Sequence, residues 1–168
     1  MRFEVERKFL VSHDGWRSRA VRRRRLRDGL IGQFPAGKVR VRLDDDGAWL
    51  TVKGPRVGIG RPEFEYAIPR EDAEAMMRGL CGGDLIEKTR YEVPHAGLTW
   101  EVDVYEGSLA GIVLAEVELD HDDQPFEAPD WTGREVTGDP RFRQATLLRL
   151  GAEAGRREIL AALGRESV

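Results

Sequence analysis

Phe3-Glu4-Val5-Glu6-Arg7-Lys8 sets Glu4, Glu6 and Lys8 on one face of an extended chain and Phe3 and Val5 on the other. Successive strand side chains point to opposite sides, so period-two alternation marks a strand with two chemically different faces. The pattern recurs through most of the sequence. One parity reads Lys38, Arg40, Arg42; then Thr51, Lys53; then Glu63, Glu65. It continues with Lys88, Arg90; then Glu101, Asp103; then Glu116, Glu118. The other parity is greasy, as in Val39, Val41, Leu43 and Val113, Ala115, Val117, Leu119. Strands are expected over about 2–10, 29–34, 38–44, 48–54, 62–68, 86–93, 98–105 and 112–120. Seven of these carry paired or solitary ionised groups on one face, and only the segment from Leu30 to Phe34 carries none.

Helical patterns fill the gaps at roughly 14–26, 71–80, 144–149 and about 152–164. No repeat or linker interrupts the 168 residues, and we expect a single α+β domain over 1–168. Charged residues are 34% and the apolar set 40%, a globular composition. No apolar run approaches a membrane span, and no membrane partner is expected. The charges at the N-terminus do not suit a signal peptide. The formal net charge of -3 argues against a general nucleic-acid surface. A single cysteine, Cys81, forms no intrachain disulfide and suits a cytoplasmic setting.

Two arrangements accommodate such strands. A sheet or sandwich that wets its charged face is the commoner one. Against it, a wet face normally mixes Thr, Ser and Gln with its charges, whereas here nearly every position is a full charge. The alternative is a closed barrel with a charged lumen and an apolar outer wall beneath helices; about eight strands enclose room for one small ligand. Like charges 4 Å apart repel by about 4 kcal/mol at an effective dielectric of 20. Crowded lumen cations therefore call for a polyanion, and crowded carboxylates for hard divalent cations. A metal-bound polyphosphate satisfies both.

The same residues carry a resemblance. Glu4-Val5-Glu6-Arg7-Lys8 is similar to the E-x-E-x-K signature of the CYTH superfamily, the triphosphate tunnel metalloenzymes. The likeness continues through Arg40 and Arg42, Lys53-Gly54, Glu63 to Tyr66, Lys88 to Tyr91, Glu101 to Asp103, Glu116 to Glu118 and Gly138-Asp139-Pro140-Arg141. It implies an eight-stranded antiparallel β-barrel, flanked by helices, whose lumen is the site. It further implies metal-dependent hydrolysis of inorganic triphosphate or a similar small molecule such as a nucleoside or thiamine triphosphate. A class IV adenylyl cyclase and a non-catalytic triphosphate-binding module are the alternatives on this scaffold. Metal ligation, by Mg²⁺ or Mn²⁺, falls by resemblance on Glu4, Glu6, Asp103, Glu116 and Glu118. Triphosphate binding falls on Lys8, Arg40, Arg42, Lys53, Lys88 and Arg90. Glu63, Glu65 and Glu101 serve either the metal or the balance of the bases. A monomer or a homodimer is expected.

The cations are 23 Arg and only four Lys. Lys8, Lys53 and Lys88 fall on the charged parity inside these segments, and Lys38 sits at a strand start. Desolvation among other cations lowers a lysine's pKa, so Lys8 is the expected proton-handling catalytic residue. Other signals are decoys. Gly32 to Val39 mimics a phosphate-binding loop but has Val39 in place of Ser/Thr and precedes a strand. His13, His95 and His121 are expected exposed in loops, and Cys81 buried and inert. Arg17 to Arg27 reads as an exposed helix face paired with acids, or as an electrostatic lip.

Overall fold

The computed structural model describes residues 3–82, 85–144, 146, 157, 159 and 161. Its nine strands are β1 (Phe3–Val11), β2 (Arg22–Phe34), β3 (Gly37–Asp44), β4 (Ala48–Lys53), β5 (Gly60–Ala67), β6 (Ile86–His95), β7 (Leu98–Tyr105), β8 (Val113–Leu119) and β9 (Thr132–Glu135). The pairing order β5-β4-β3-β2-β6-β7-β8-β1 closes on itself because β1 also pairs with β5. Eight antiparallel strands thus form a closed barrel, and closure removes the unpaired edges that an open sheet would present. Strand β9 adds to β1 outside the ring.

Each expected strand is present. The helix expected over 14–26 is not: Asp14–Arg19 makes a short 3₁₀ turn, and Arg22 onward is the start of a 13-residue strand. The arginines of 22–27 pair edge to edge with β3 and β6, and Leu26 turns inward. Tertiary strand pairing overrides the weak helical spacing of this run. The expected helix over 71–80 is α1 (Arg70–Gly79), with Glu71 and Asp72 in its first turn at the positive end of the dipole. The helices expected over 144–149 and about 152–164 lie largely outside the described residues.

Alternation sorts the barrel wall as the pattern demands. On the outside of β3 and β4, Val41, Leu43 and Ala48 pack under Ala73 and Met77 of α1. On the outside of β1, β6, β7 and β8, Val5, Phe9, Trp100, Val102 and Val117 form the largest cluster. Its cover is not the expected helix but the 3₁₀ turn that carries Trp16 and the irregular chain that delivers Phe126 and Trp131, with Trp131 edge-on to Trp100 at 5.6 Å. The outer face of β5 lies under neither cover, and Phe64 and Tyr66 are exposed. One end of the lumen is filled rather than charged. Leu10, Ile86, Tyr105 and Leu114, on the same parity as the lumen charges, meet Phe142 and Ile159 there.

Gly29, buried on β2, is required by close approach: a Cβ there would stand 2.5 Å from Cys81 Sγ and 3.0 Å from Leu85 Cδ2. Cys81 is accordingly half-buried and packed, and burial pushes its thiol pKa up. Gly29→Ala is expected to cost about 1–3 kcal/mol by overpacking. Chemical denaturation should show that Cys81→Ala restores most of that loss; no restoration would assign the cost to the backbone instead.

Candidate active site

A cavity of about 310 Å³ occupies the barrel lumen. Strands β1, β5, β7 and β8 bring mostly carboxylates to its wall, and β2, β3, β4 and β6 bring cations. Of the sequence-derived residues, Glu4, Glu6, Lys8, Arg40, Arg42 and Lys53 line it. So do Arg90, Glu116 and Glu118 with Glu63, Glu65 and Glu101. Lys88 and Asp103 do not reach the cavity; both are fully buried behind Arg90.

Arg90 is the hub of one side. Its guanidinium donates to both oxygens of Asp103 at 2.7 Å, to Glu116 at 2.9 Å and to Glu101. Lys88 Nζ donates to Asp103 Oδ2 at 2.5 Å. Burial would raise the Asp103 carboxyl, but Arg90 and Lys88 outweigh it and hold the group below its ordinary range. Glu116 follows the same logic: burial opposes its charge, and Lys8 and Arg90 override the burial.

On the far side, Arg42 forks onto both Asp28 oxygens at 2.7 and 2.9 Å. Gln144 bridges Asp28 at 3.2 Å and Arg40 at 3.2 Å, so the chain after β9 reaches into the lumen. Lys53 is clamped by Glu4 at 2.8 Å and Glu63 at 2.6 Å, and Arg61 donates to the other Glu4 oxygen at 2.7 Å. Glu65 accepts from Thr51 at 3.0 Å.

Lys8 departs from expectation. Burial opposes its charge, but Glu116 at 2.7 Å and Glu6 at 3.9 Å outweigh burial and raise its pKa. Burial also lowers the Lys88 pKa, but the lowered lysine that lines the cavity is Lys38, brought to about 7 by burial and by Arg61, Lys53 and Arg40. Only three-dimensional neighbours separate Lys8 from Lys38, since both have the same parity and residue type. Asp28, Arg56, Arg61, Arg143 and Trp49 also reach the cavity or its wall and were not singled out from sequence, whereas Arg24, which lines it too, belongs to the arginine cluster that was. Extending the β5 alternation one step back from Glu63 would have found Arg61. No periodic signal marks Arg56 or Arg143, which lie outside the strands.

The arginine cluster carries out the pairing expected of it, though from a strand. Arg22 meets Asp46 at 2.6 Å, and Arg24 lies between Asp44 at 3.2 Å and Glu92 at 3.3 Å while facing the cavity. His13 and His121 are exposed, whereas His95 closes β6 and is half-buried. The loop-like Gly32 to Val39 runs from β2 into β3, and Gly37, at φ 158°, is where β3 passes against the Lys53 backbone.

A closed barrel with opposed acidic and basic walls around one cavity defines a tunnel that can hold a polyanion together with a cation. The chain belongs to the CYTH family: the CYTH domain model matches residues 2–147. It is 44% identical over 146 residues to an inorganic triphosphatase of Acetivibrio thermocellus, covering 87% of this chain and 93% of that protein. An inorganic triphosphatase of Nitrosomonas europaea is 37% identical over 152 residues, covering 86% and 95%. Among solved structures, the inorganic triphosphatase NE1496 superposes with a TM-score of 0.61 at 32% identity, over 86% of this chain and 97% of that one. Among the described residues, no helix is long and apolar enough to cross a membrane.

Proposed function

We propose that this protein hydrolyses inorganic triphosphate with the help of Mg²⁺ or Mn²⁺. The observation that carries the reading is the opposition of carboxylate and cation walls inside one closed barrel, in a chain 44% identical to an inorganic triphosphatase.

The acid side suits a hard divalent ion. Glu6 faces Glu118 directly across β1 and β8, whereas Glu101 and Glu116, opposed across β7 and β8, already share the Arg90 guanidinium. Opposed like charges on one sheet face are destabilising unless a cation lies between them. Among the described residues no three acids converge on one point. That fits Mg²⁺, which keeps waters and commonly takes one or two carboxylates plus substrate phosphate oxygens. Glu6 and Glu118 would hold the ion. Glu4 and Glu116 would join once the polyphosphate draws their cations away. Asp103, with both oxygens occupied, positions Arg90. When bound, the ion polarises phosphoryl oxygen and lowers the pKa of its water.

The chain's own cations do the rest. Arg40, Arg42, Lys53 and Arg90 neutralise and align the triphosphate, which is most of what phosphoryl transfer needs from a protein. Lys8, kept charged by Glu116, neutralises rather than accepts a proton. Lys88 supports Arg90 through Asp103. Water oxygen bonds to the terminal phosphorus, the bond to the bridging oxygen breaks, diphosphate leaves and one proton passes to solvent. The single cysteine suits a cytoplasmic setting.

The test is a product assay on inorganic triphosphate, thiamine triphosphate and ATP with Mg²⁺ or Mn²⁺. Phosphate and diphosphate from inorganic triphosphate, with the highest kcat/KM of the three, is the expected result. Cyclic AMP with diphosphate from ATP as the main product would replace the reading with a cyclase.

A further inference from the structure

Three of the four lysines are tied to carboxylates: Lys8 to Glu116, Lys53 to Glu4 and Glu63, and Lys88 to Asp103. Lys38 has no carboxylate within ion-pair distance among the described residues, although it lines the same cavity. Its position is built in. Gly37, at the entry to β3, lets the chain lie against the Lys53 carbonyl where a Cβ would collide, and Lys38 then stands directly opposite Lys53. The charged groups that bear on it are cations from every side: Arg40 on its own strand, Lys53 on β4, Arg61 on β5 and Lys8 on β1. Glu4 and Glu63, the carboxylates at this end, are spent on Lys53 and Arg61. Like charges directly opposite on a sheet face destabilise one another. A lining lysine held this way, with no counter-charge of its own, is suited to an incoming anion.

We propose that Lys38 is a substrate-binding residue that takes up a proton as the polyphosphate enters, so that ligand binding at this subsite is coupled to protonation. The inference rests on the polyphosphate reading of the cavity. Without ligand, burial and the surrounding cations put the Lys38 pKa at about 7. A phosphoryl group beside Nζ supplies the missing counter-charge and returns the lysine to its ammonium form. The sign follows: below about pH 7 the ammonium is present beforehand, and above it each binding event must draw a proton from solvent, which weakens affinity.

Calorimetric titration of inorganic triphosphate alone, with metal chelated to prevent turnover, tests this in two buffers of different ionisation enthalpy. At pH 8 the parent is expected to take up about one proton more per ligand than Lys38→Arg, whose guanidinium stays charged. From pH 6.5 to 8.5 the parent Kd should rise about 20-fold more than that of Lys38→Arg. Lys38→Met should bind weakly throughout and show the same reduced proton uptake as Lys38→Arg. Tight binding with equal proton uptake in parent and Lys38→Arg overturns the role of Lys38 and leaves the polyphosphate reading standing. Absence of binding by all three proteins overturns that reading, and this inference with it.

Discussion

Glu118→Gln is expected to lower metal-dependent triphosphate hydrolysis by more than about 100-fold while leaving the barrel folded. Glu118 is exposed at the cavity wall, directly across the strand pair from Glu6. The amide keeps the size of the side chain but loses the charge that a hard divalent ion requires. Outer partners of metal ligands already cost about 10–100-fold when removed, so losing the direct ligand that Glu118 is proposed to be should cost more. Thermal unfolding of the variant should stay close to the parent, because exposed substitutions stay within about 0.5 kcal/mol. Kinetic assay across a Mg²⁺ or Mn²⁺ titration checks the assignment. Activity within threefold of the parent at every metal concentration would remove Glu118 from the metal site.

The largest stability effect is expected at Asp103. Its side chain is fully buried, and its two oxygens serve Lys88 and the Nε and Nη2 of Arg90. Asp103→Ala leaves Lys88 without its ion-pair partner beside the apolar fill of Tyr105, Leu114 and Ile86, and removes two of the four carboxylate hydrogen bonds of Arg90. Breaking one partner out of a buried ionic set costs about 3–5 kcal/mol. For a chain of this size that corresponds to a fall in Tm of about 10 °C. Adding Lys88→Met should recover part of the loss by removing one orphaned charge, a non-additivity that a double-mutant cycle reads directly. A fall of less than about 2 °C would show that Asp103 is not holding this cluster together.

The wall chemistry was legible in the sequence because strand geometry is local. Once β1, β3, β5, β6, β7 and β8 are extended, parity alone sends Glu4, Arg42, Glu65, Arg90, Asp103 and Glu116 to one side and Val5, Val41, Val102 and Val117 to the other. The N-terminal half of β2 was not legible. Its arginine run resembles a helical face until β3 and β6 pair with it, and its bulge between Leu30 and Gly32 breaks the register that would have exposed Asp28 as a lumen acid. Arg56, Arg143 and Gln144 escaped notice for a different reason: no strand periodicity marks their direction.

The amino-acid order by itself determined which residues share a face, since that depends on the backbone's two-residue repeat. It also determined that the shared face is almost wholly ionic and carries both signs of charge. Which charge meets which was settled by strand pairing and register. Lys8 and Lys38 are the same residue type on the same parity, yet strand pairing seats one beside Glu116 and the other opposite Lys53. Coulomb energy between side chains depends on distance through space, and the distances were set only when the strands paired in the register of the barrel.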